Sequence, residues 1–305
     1  MFTTLLSVVV VLVLGHLAHG LSSALRDHGW FHGWLRWLDG KCAPDSFWRG
    51  PWGIALALLP VLLVLALFQL ALDGVLFGLP SLLLAILVLF HSWGPRDLDE
   101  DVAAIVDAPS ALQRREAAAR LHPAAGLQVA AIDGPALVEV VFRSALRRWF
   151  GVLFWFVLLG PFGALLYRLT AVAAEDAVAD QLPAGTVSGA RTLLAVLDWP
   201  AAQLLTFSLA LVGNFDAVIA AWKQAGGATL ALGLGFLDAA ARACVRSEIA
   251  DEAEEYAESG ILLGSALVLE LGPLPELRDA MSLVWRVLLV WLATIAIFII
   301  AGWVS

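Results

Sequence analysis

Charged residues are scarce in this chain, since Asp, Glu, Lys and Arg make up 15% of its 305 residues. Four stretches contain none of them: residues 53–72, 74–93, 149–167 and 287–305. Each is about the length of a helix that spans a bilayer. With 61% hydrophobic residues, too little polar surface remains for a water-soluble domain. The sequence therefore predicts an all-α, polytopic membrane protein.

Cysteine is almost absent, and the motifs that usually reveal chemistry are missing. Cys42 and Cys244 are the two cysteines, and neither belongs to a CxxC pair that would indicate a zinc or redox site. No GxxxxGK[ST], GxSxG, HExxH or strand-associated GxGxxG pattern occurs. The net charge of −9 argues against nucleic-acid binding, which needs a basic surface. From its residues alone, the sequence predicts no catalytic residue, metal or cofactor.

The amino-terminal part predicts membrane and interfacial helices. Residues 2–18 are interpreted as a membrane helix, because they lack the basic start and cleavage site of a signal peptide. Trp30, Trp34 and Trp37 follow helical spacing, and tryptophan favours the membrane–water boundary. This pattern predicts an interfacial helix. We expect residues 53–72 and 74–93 to form a helical hairpin.

The longest polar stretch, residues 94–148, predicts three short helices. Asp97 and Glu100 form a capping-box pattern for a helix through Val106. Ser110 is expected to cap a second helix over Ala111–Leu121, and Pro135 to begin a third through Arg148. We interpret residues 1–305 as one integrated membrane domain that includes this helical segment, followed by a further crossing over residues 149–167.

The distribution of Lys and Arg predicts the orientation. Residues 20–51 and 94–148 hold eleven of the eighteen basic residues, and a two-helix hairpin separates them. The positive-inside rule places both segments in the cytoplasm.

Residues 168–286 contain shorter apolar runs, over residues 199–215, 225–237 and 260–269. Segments this short are typical of buried or half-embedded helices. Glycines would let such helices pack closely; they are Gly226, Gly227, Gly233, Gly235 and Gly264. Asp198 precedes Trp199-Pro200, and this pattern predicts a helix start that its carboxylate caps.

Two groups of polar residues have spacings that merit a functional reading. His28 and His32 are four residues apart, a spacing that suits a shared metal but is more often incidental. An acidic stripe lies at helical spacing, and we interpret it either as a solvated helix face or as a surface for Mg²⁺ or a basic partner. The stripe consists of Glu248, Asp251, Glu252, Glu255 and Glu258. Arg168 and Arg286 border membrane runs, where snorkelling to headgroups is favoured over pairing with Asp198.

Several segments resemble the AmpE family. These are the hairpin that begins at Asp73-Gly74, residues 153–168, the Asp198-Trp199-Pro200 tripeptide, Gly213-Asn214 and Trp222. The resemblance extends over nearly the whole chain. It implies a multi-pass protein of the bacterial inner membrane that modulates signalling in β-lactamase induction and cell-wall recycling, and hence a role in antibiotic resistance. It also implies a partner in the membrane or the cytoplasm, or a ligand derived from the cell wall.

The AmpE family in turn resembles the CobD/CbiB membrane synthases of cobalamin biosynthesis, which join an aminopropanol group to cobyric acid. Those enzymes carry acidic or amide residues where this chain has Arg143–Arg148 and Ala171–Ala174, and a paired Asp and Asn where it has Asp198 alone. Reversed or missing charge cannot bind a metal–phosphate or act as a base. The comparison therefore implies a non-catalytic relative, with a membrane-embedded synthase as the alternative.

For a binding protein, the charged side chains are the candidate interaction surface. Its members are Arg143, Arg147, Arg148, Asp198, Glu248, Asp251, Glu252 and Glu255.

Overall fold

The computed structural model describes residues 6–8, 10–11, 28–43, 46–72, 78–94, 98–121, 134–175, 181–258 and 274–300, and within these ranges the regular structure is helical. The helices are α1 (Gly29–Lys41), α2 (Gly53–Leu72), α3 (Leu79–Ser92), α4 (Leu98–Val106), α5 (Ala111–Leu121), α6 (Gly134–Ala145), α7 (Gly151–Leu159), α8 (Pro161–Ala174), α9 (Ala184–Val212), α10 (Phe215–Gln224), α11 (Gly235–Glu258) and α12 (Pro275–Ile300). A 3₁₀ turn covers Phe47–Arg49, and a π-helix covers Leu146–Phe150.

By length and composition, three of the described helices can cross a membrane: α2, α9 and α12 through Ile297. The prediction of an all-α membrane protein is therefore confirmed.

The chain forms two compact units that interleave along the sequence. Unit 1 comprises Met1–Pro95, Arg147–Asp198 and Thr294–Ser305, and unit 2 comprises Arg96–Leu146 and Trp199–Ala293. The interpretation of residues 1–305 as one integrated domain stays a prediction.

In unit 1, α1 forms where the tryptophan spacing predicts a helix. Its buried face consists of Phe31, Leu35 and Leu38, whereas Trp30 and Trp37 are exposed. An exposed tryptophan face is what an interfacial helix presents to headgroups. His28 is buried beside His91, with their ring centroids 4.6 Å apart. No group of three His, Cys, Asp or Glu side chains in the described ranges is arranged to hold a metal ion.

The predicted crossing over residues 149–167 is wrong, because the chain reverses within it. Gly160 adopts φ 66° and ψ −154°, which favours glycine, and Pro161 begins a new helix. Helices α7 and α8 pack against each other as a hairpin. A Cβ atom on Gly163 would lie 2.2 Å from the carbonyl oxygen of Trp155, so only glycine permits this approach. Helix α7 has nine residues, about 14 Å, too short to cross a bilayer.

A GxxxG pattern at the start of α9 packs against backbone in unit 1. Cβ atoms on Gly185 and Gly189 would lie 2.1 Å from the oxygen of Arg49 and 1.8 Å from that of Pro51. The Thr186 hydroxyl donates to the carbonyl of Trp48. Small residues four apart let a helix approach its neighbour this closely, so the beginnings of α2 and α9 are adjacent.

In unit 2, the predicted short helices are confirmed. Helices α4 and α5 have the expected bounds, and the amide of Gln113 donates to Ser110 Oγ at 3.3 Å as an N-cap bond. Asp97 lies outside the described residues. Helix α6 begins at Gly134, one residue before the predicted Pro135, and ends at Ala145, where a π-helix replaces the end of the helix predicted through Arg148.

Two ion pairs join α6 to α11. Arg143 donates Nε to Asp238 Oδ1 at 2.8 Å and Nη2 to Oδ2, while Arg242 pairs with Glu139. Each helix carries an acid four residues before an arginine, and antiparallel packing matches each acid with the arginine of the other helix.

The expected helix over residues 225–237 is wrong for its first part, because the chain runs through turns and coil until α11 begins at Gly235. Gly226 has φ +76°, and Cβ atoms on Gly233 and Gly235 would meet nothing within 4 Å. These glycines form a connection instead of a close helix contact. Residues 260–269, with Gly264, lie outside the described residues.

Candidate functional site

A cluster of ionisable side chains in unit 1 is the strongest candidate site. It combines Arg147 and Arg148 from the π-helix, Tyr167 and Arg168 from α8, and Asp198 from α9. Ionisable residues within apolar helices are costly and usually functional. The π-helix itself is a rare geometry that is frequent at functional sites.

Asp198 is the centre of this cluster. Its side chain is buried, and its Oδ1 accepts a 2.6 Å hydrogen bond from the Tyr167 hydroxyl. Arg147 Nε lies 3.5 Å from Oδ2, which is an ion-pair distance. The interpretation of Asp198 as a helix cap is therefore wrong, because α9 began fourteen residues earlier, at Ala184. Its carboxylate faces two other elements instead of its own backbone.

Glycine and proline make room for this arrangement. A Cβ atom on Gly151 would lie 2.2 Å from Cζ of Tyr167, so the tyrosine ring occupies the space above a bare backbone. Pro200 lies inside α9 and cannot donate a helical hydrogen bond. The carbonyl that Pro200 leaves without its helical donor is that of Val196, and the next carbonyl, that of Leu197, accepts a 3.0 Å hydrogen bond from the Trp155 indole. Contacts of this kind from neighbouring helices let a membrane helix contain proline.

Arg148 and Arg168 are both buried, which corrects the expectation that Arg168 snorkels to headgroups. A Cβ atom on Gly94 would lie 2.8 Å from Cβ of Arg148, and the Gly94 amide donates to the Arg148 carbonyl. Glu175 follows α8, where burial raises the pKa of its carboxyl group and the nearby positive charge of Arg168 partly offsets that rise. The cluster thus holds three guanidinium groups near two carboxyl groups.

The remaining members of the candidate interaction surface belong to unit 2, and most of them pair within it. Arg143 pairs with Asp238, and this hydrogen bond raises the pKa of Arg143. Glu248 lies 3.3 Å from Arg286, and Glu252 accepts a 2.6 Å hydrogen bond from Arg278. Asp251 and Glu255 are exposed.

The acidic stripe therefore has two faces. Glu248 and Glu252 form one face and pair with arginines of α12, whereas Asp251 and Glu255 are exposed. The structure brings Arg147, Arg148 and Asp198 together in one cluster, while the other five candidates lie along α6 and α11.

The sequence pattern alone does not indicate every residue of these sites. Tyr167 lies in an apolar run, and no local pattern marks it as the partner of a distant aspartate. The Glu139/Arg143 and Asp238/Arg242 spacings, by contrast, could have predicted the ion pairs between α6 and α11, because two acid-to-arginine i, i+4 patterns suit antiparallel helices.

Comparison with known proteins identifies a family. The family model described as "Regulatory signalling modulator protein AmpE" matches residues 4–231, well over half of the chain. No curated protein and no solved structure matches the chain. The match includes the Asp198 cluster and ends before α11. The chain therefore belongs to the AmpE family of regulatory signalling modulators.

Proposed function

We propose that this chain is a non-catalytic signalling modulator of the bacterial inner membrane, with several membrane passes, linked to β-lactamase induction and cell-wall recycling. It acts by binding a membrane or cytoplasmic partner protein, or a ligand derived from the cell wall. Family membership supports the signalling role, and the observation that carries the non-catalytic part is the engagement of Asp198.

Both oxygens of the Asp198 carboxylate face partners of the chain, Tyr167 Oη at 2.6 Å and Arg147 Nε at 3.5 Å. A general base must instead reach the proton of a substrate. The geometry supports a structural ion pair that joins α8, α9 and the π-helix. Paired acids and bases inside a membrane protein also suit an element with two arrangements, which a signalling protein needs.

The charged residues of unit 2 differ in how well they suit partner binding. Arg143, Glu248 and Glu252 already pair within the unit, so a partner would have to compete for them. Asp251 is exposed at the surface of α11. We propose the surface around Asp251 as the contact for a basic partner, because an exposed negative charge attracts an oppositely charged protein.

A membrane-embedded synthase of the CobD/CbiB type is the second candidate function. The observation that favours it is the same buried cluster, because perturbed and buried ionisable groups gather at active sites. If Asp198 is catalytic, the reaction requires its negative charge. If Asp198 is structural, neutral residues at both positions 198 and 147 can replace the ion pair.

This difference defines the experiment. Asp198→Asn leaves Arg147 without its carboxylate, and we expect a loss of about 1–3 kcal/mol of stability and weaker β-lactamase induction in a complemented deletion strain. The double variant Asp198→Asn with Arg147→Gln removes both charges, so protein level and induction should recover. Arg115→Gln, an exposed site, is the matched control.

A catalytic role would give the opposite result. The double variant would reach normal levels in the membrane and remain inactive. Product formation by the purified protein from cobyric acid and an aminopropanol donor would then support the synthase.

A further inference from the structure

Unit 2 contains a cleft of about 230 Å³ that belongs to none of the sites above. It is bounded by the beginning of α6, the middle of α11 and the first turn of α12. Four apolar side chains form much of its lining: Pro135, Val138, Val245 and Ile249. The remaining lining residues are Arg242, Arg246 and Glu276, so the cleft combines an apolar wall with opposite charges.

The three charged residues of the cleft differ in their pairing. Arg242 is neutralised by Glu139, with which it forms an ion pair. Arg246 is exposed and forms no ion pair with any residue in the described part of the chain. It therefore presents a guanidinium group with its N–H donors available for a carboxylate.

Glu276 is the anionic residue of the cleft, and it lies beside the start of α6. Its carboxyl group is close to Gly134, the first residue of α6, where a Cβ atom would lie 2.4 Å from its Cδ. The positive end of the helix dipole favours a carboxylate there. Within the described residues, Glu276 forms no ion pair, either with Arg246 or with another cation. In the described part of the chain, an anion and a cation thus line one small cleft without an ion pair to neutralise either of them.

We propose that this cleft binds an α-amino acid unit with an apolar side chain, either as a free amino acid or as the last residue of a short peptide. Arg246 binds the α-carboxylate, Glu276 accepts from the ammonium or amide N–H, and the apolar wall covers the side chain. Such an amino acid would be a ligand of the proposed modulator. This role rests on the proposed function, whereas binding of the amino acid to the cleft does not.

The size of the cleft agrees with such a ligand. A volume of 230 Å³ corresponds to roughly eight water molecules in the liquid at about 30 Å³ each. Pockets for drug-sized molecules usually begin at about 300 Å³. One apolar residue with its charged ends fits this range, while a long peptide does not.

Titration calorimetry of the full chain in nanodiscs tests the proposal with four probes: leucine, glycyl-leucine, N-acetyl-leucine and leucinamide. We expect leucine or glycyl-leucine to bind with a Kd on the order of 1 mM. Leucinamide, which lacks the carboxylate, should bind at least tenfold more weakly. Stronger binding of leucine than of glycyl-leucine identifies the free amino acid as the source, and the reverse order identifies a peptide end.

Two variants assign the contacts. Arg246→Gln should weaken leucine at least tenfold and abolish the difference between leucine and leucinamide. If the free amino acid is the ligand, N-acetyl-leucine, which lacks the ammonium charge, should bind the parent more weakly than leucine does, and Glu276→Gln should abolish this difference. Arg115→Gln, on the exposed surface of α5, is the control and should bind like the parent. Unchanged thermal unfolding curves establish that the variants are folded.

Absence of binding by all four probes at 10-fold above the expected Kd, or equal binding by the parent and Arg246→Gln, would overturn the proposal. These outcomes leave the proposed function testable on its own, because β-lactamase induction is measured separately. Loss of induction in the Asp198 variants together with normal leucine binding would separate the two conclusions in the other direction.

Discussion

The two cysteines differ in reactivity because their surroundings differ. Cys244 is fully buried in α11, and a Cβ atom on Gly213 would lie 2.3 Å from its sulfur. Burial raises the pKa of the Cys244 thiol to about 11. At pH 8, roughly one thiol in a thousand would then be ionised.

We therefore predict that native protein at pH 8 contains one reactive thiol, that of the half-buried Cys42. A maleimide or disulfide reagent should modify a single site in detergent and two sites in denaturant. Cys42→Ser should leave the folded protein unreactive. Rapid modification of Cys244 in the native protein would show that its helix opens readily and would contradict the buried position.

Single residues also show where sequence reasoning stops. The Ser110 cap was predictable, because a cap and its amide are three residues apart and their geometry is local. Asp198 looked similarly local, since an aspartate before Trp-Pro suits a helix start. Its actual partners, Tyr167 and Arg147, are 31 and 51 positions away. Only tertiary packing could reveal that its carboxylate is an ion-pair partner.

At the scale of elements, close backbone contact makes a clear prediction for α9. A methyl group at position 189 would overlap the carbonyl oxygen of Pro51 at 1.8 Å. Because backbone cannot rotate away as a side chain does, Gly189→Ala should destabilise unit 1 by about 1–3 kcal/mol. Thermal unfolding in detergent measures this change.

Gly33→Ala is the matched control, because it lies in a helix of the same unit and its Cβ atom would meet nothing within 4 Å. We expect it to be neutral or to stabilise by up to about 1 kcal/mol, since alanine favours helix. Equal stability of both variants would mean that α9 does not pack against Pro51.

Elements were predictable where hydrophobicity and caps agree, as in α2, α4 and α5. The α7–α8 hairpin was not predictable, although the Gly160-Pro161 dipeptide occurs within residues 149–167. Proline is tolerated inside membrane helices, as Pro60 is in α2. The deciding feature is the backbone of Gly160 together with the fit of Gly163 against Trp155, and neither is visible in composition.

For the whole molecule, the contacts constrain how often the chain crosses the membrane. The start of α9 packs against Arg49 and Pro51, which the positive-inside rule places in the cytoplasm. Its end leads through α10 to α11, which pairs with α6 through Arg143–Asp238. Helix α6 belongs to residues 94–148, which the same rule places in the cytoplasm.

Both ends of α9 are therefore tied to segments expected on one side. Helix α9 is long and apolar enough to cross, and a single crossing would separate its ends. The α7–α8 hairpin offers no compensating passage, because it returns toward its origin. The distribution of basic residues in the sequence therefore predicts that α9 does not complete a crossing; its Asp198 pairs with Arg147 and accepts a hydrogen bond from Tyr167.

Cysteine accessibility in intact cells tests this topology. Three exposed sites receive one cysteine each in a Cys42→Ser background: Ala184→Cys at the first residue of α9, Asp216→Cys after α9, and Glu116→Cys in α5. Cys244 can remain, because its raised pKa and burial keep it unreactive. We expect an impermeant maleimide to label none of the three until the inner membrane is permeabilised, since the basic residues predict that all three sites face the cytoplasm. Labelling of Asp216→Cys but not Ala184→Cys in intact cells would mean that α9 crosses, and the ion pairs between α6 and α11 could then not form. Labelling of Glu116→Cys and Asp216→Cys together would keep those ion pairs and instead reverse the orientation that the basic residues predict.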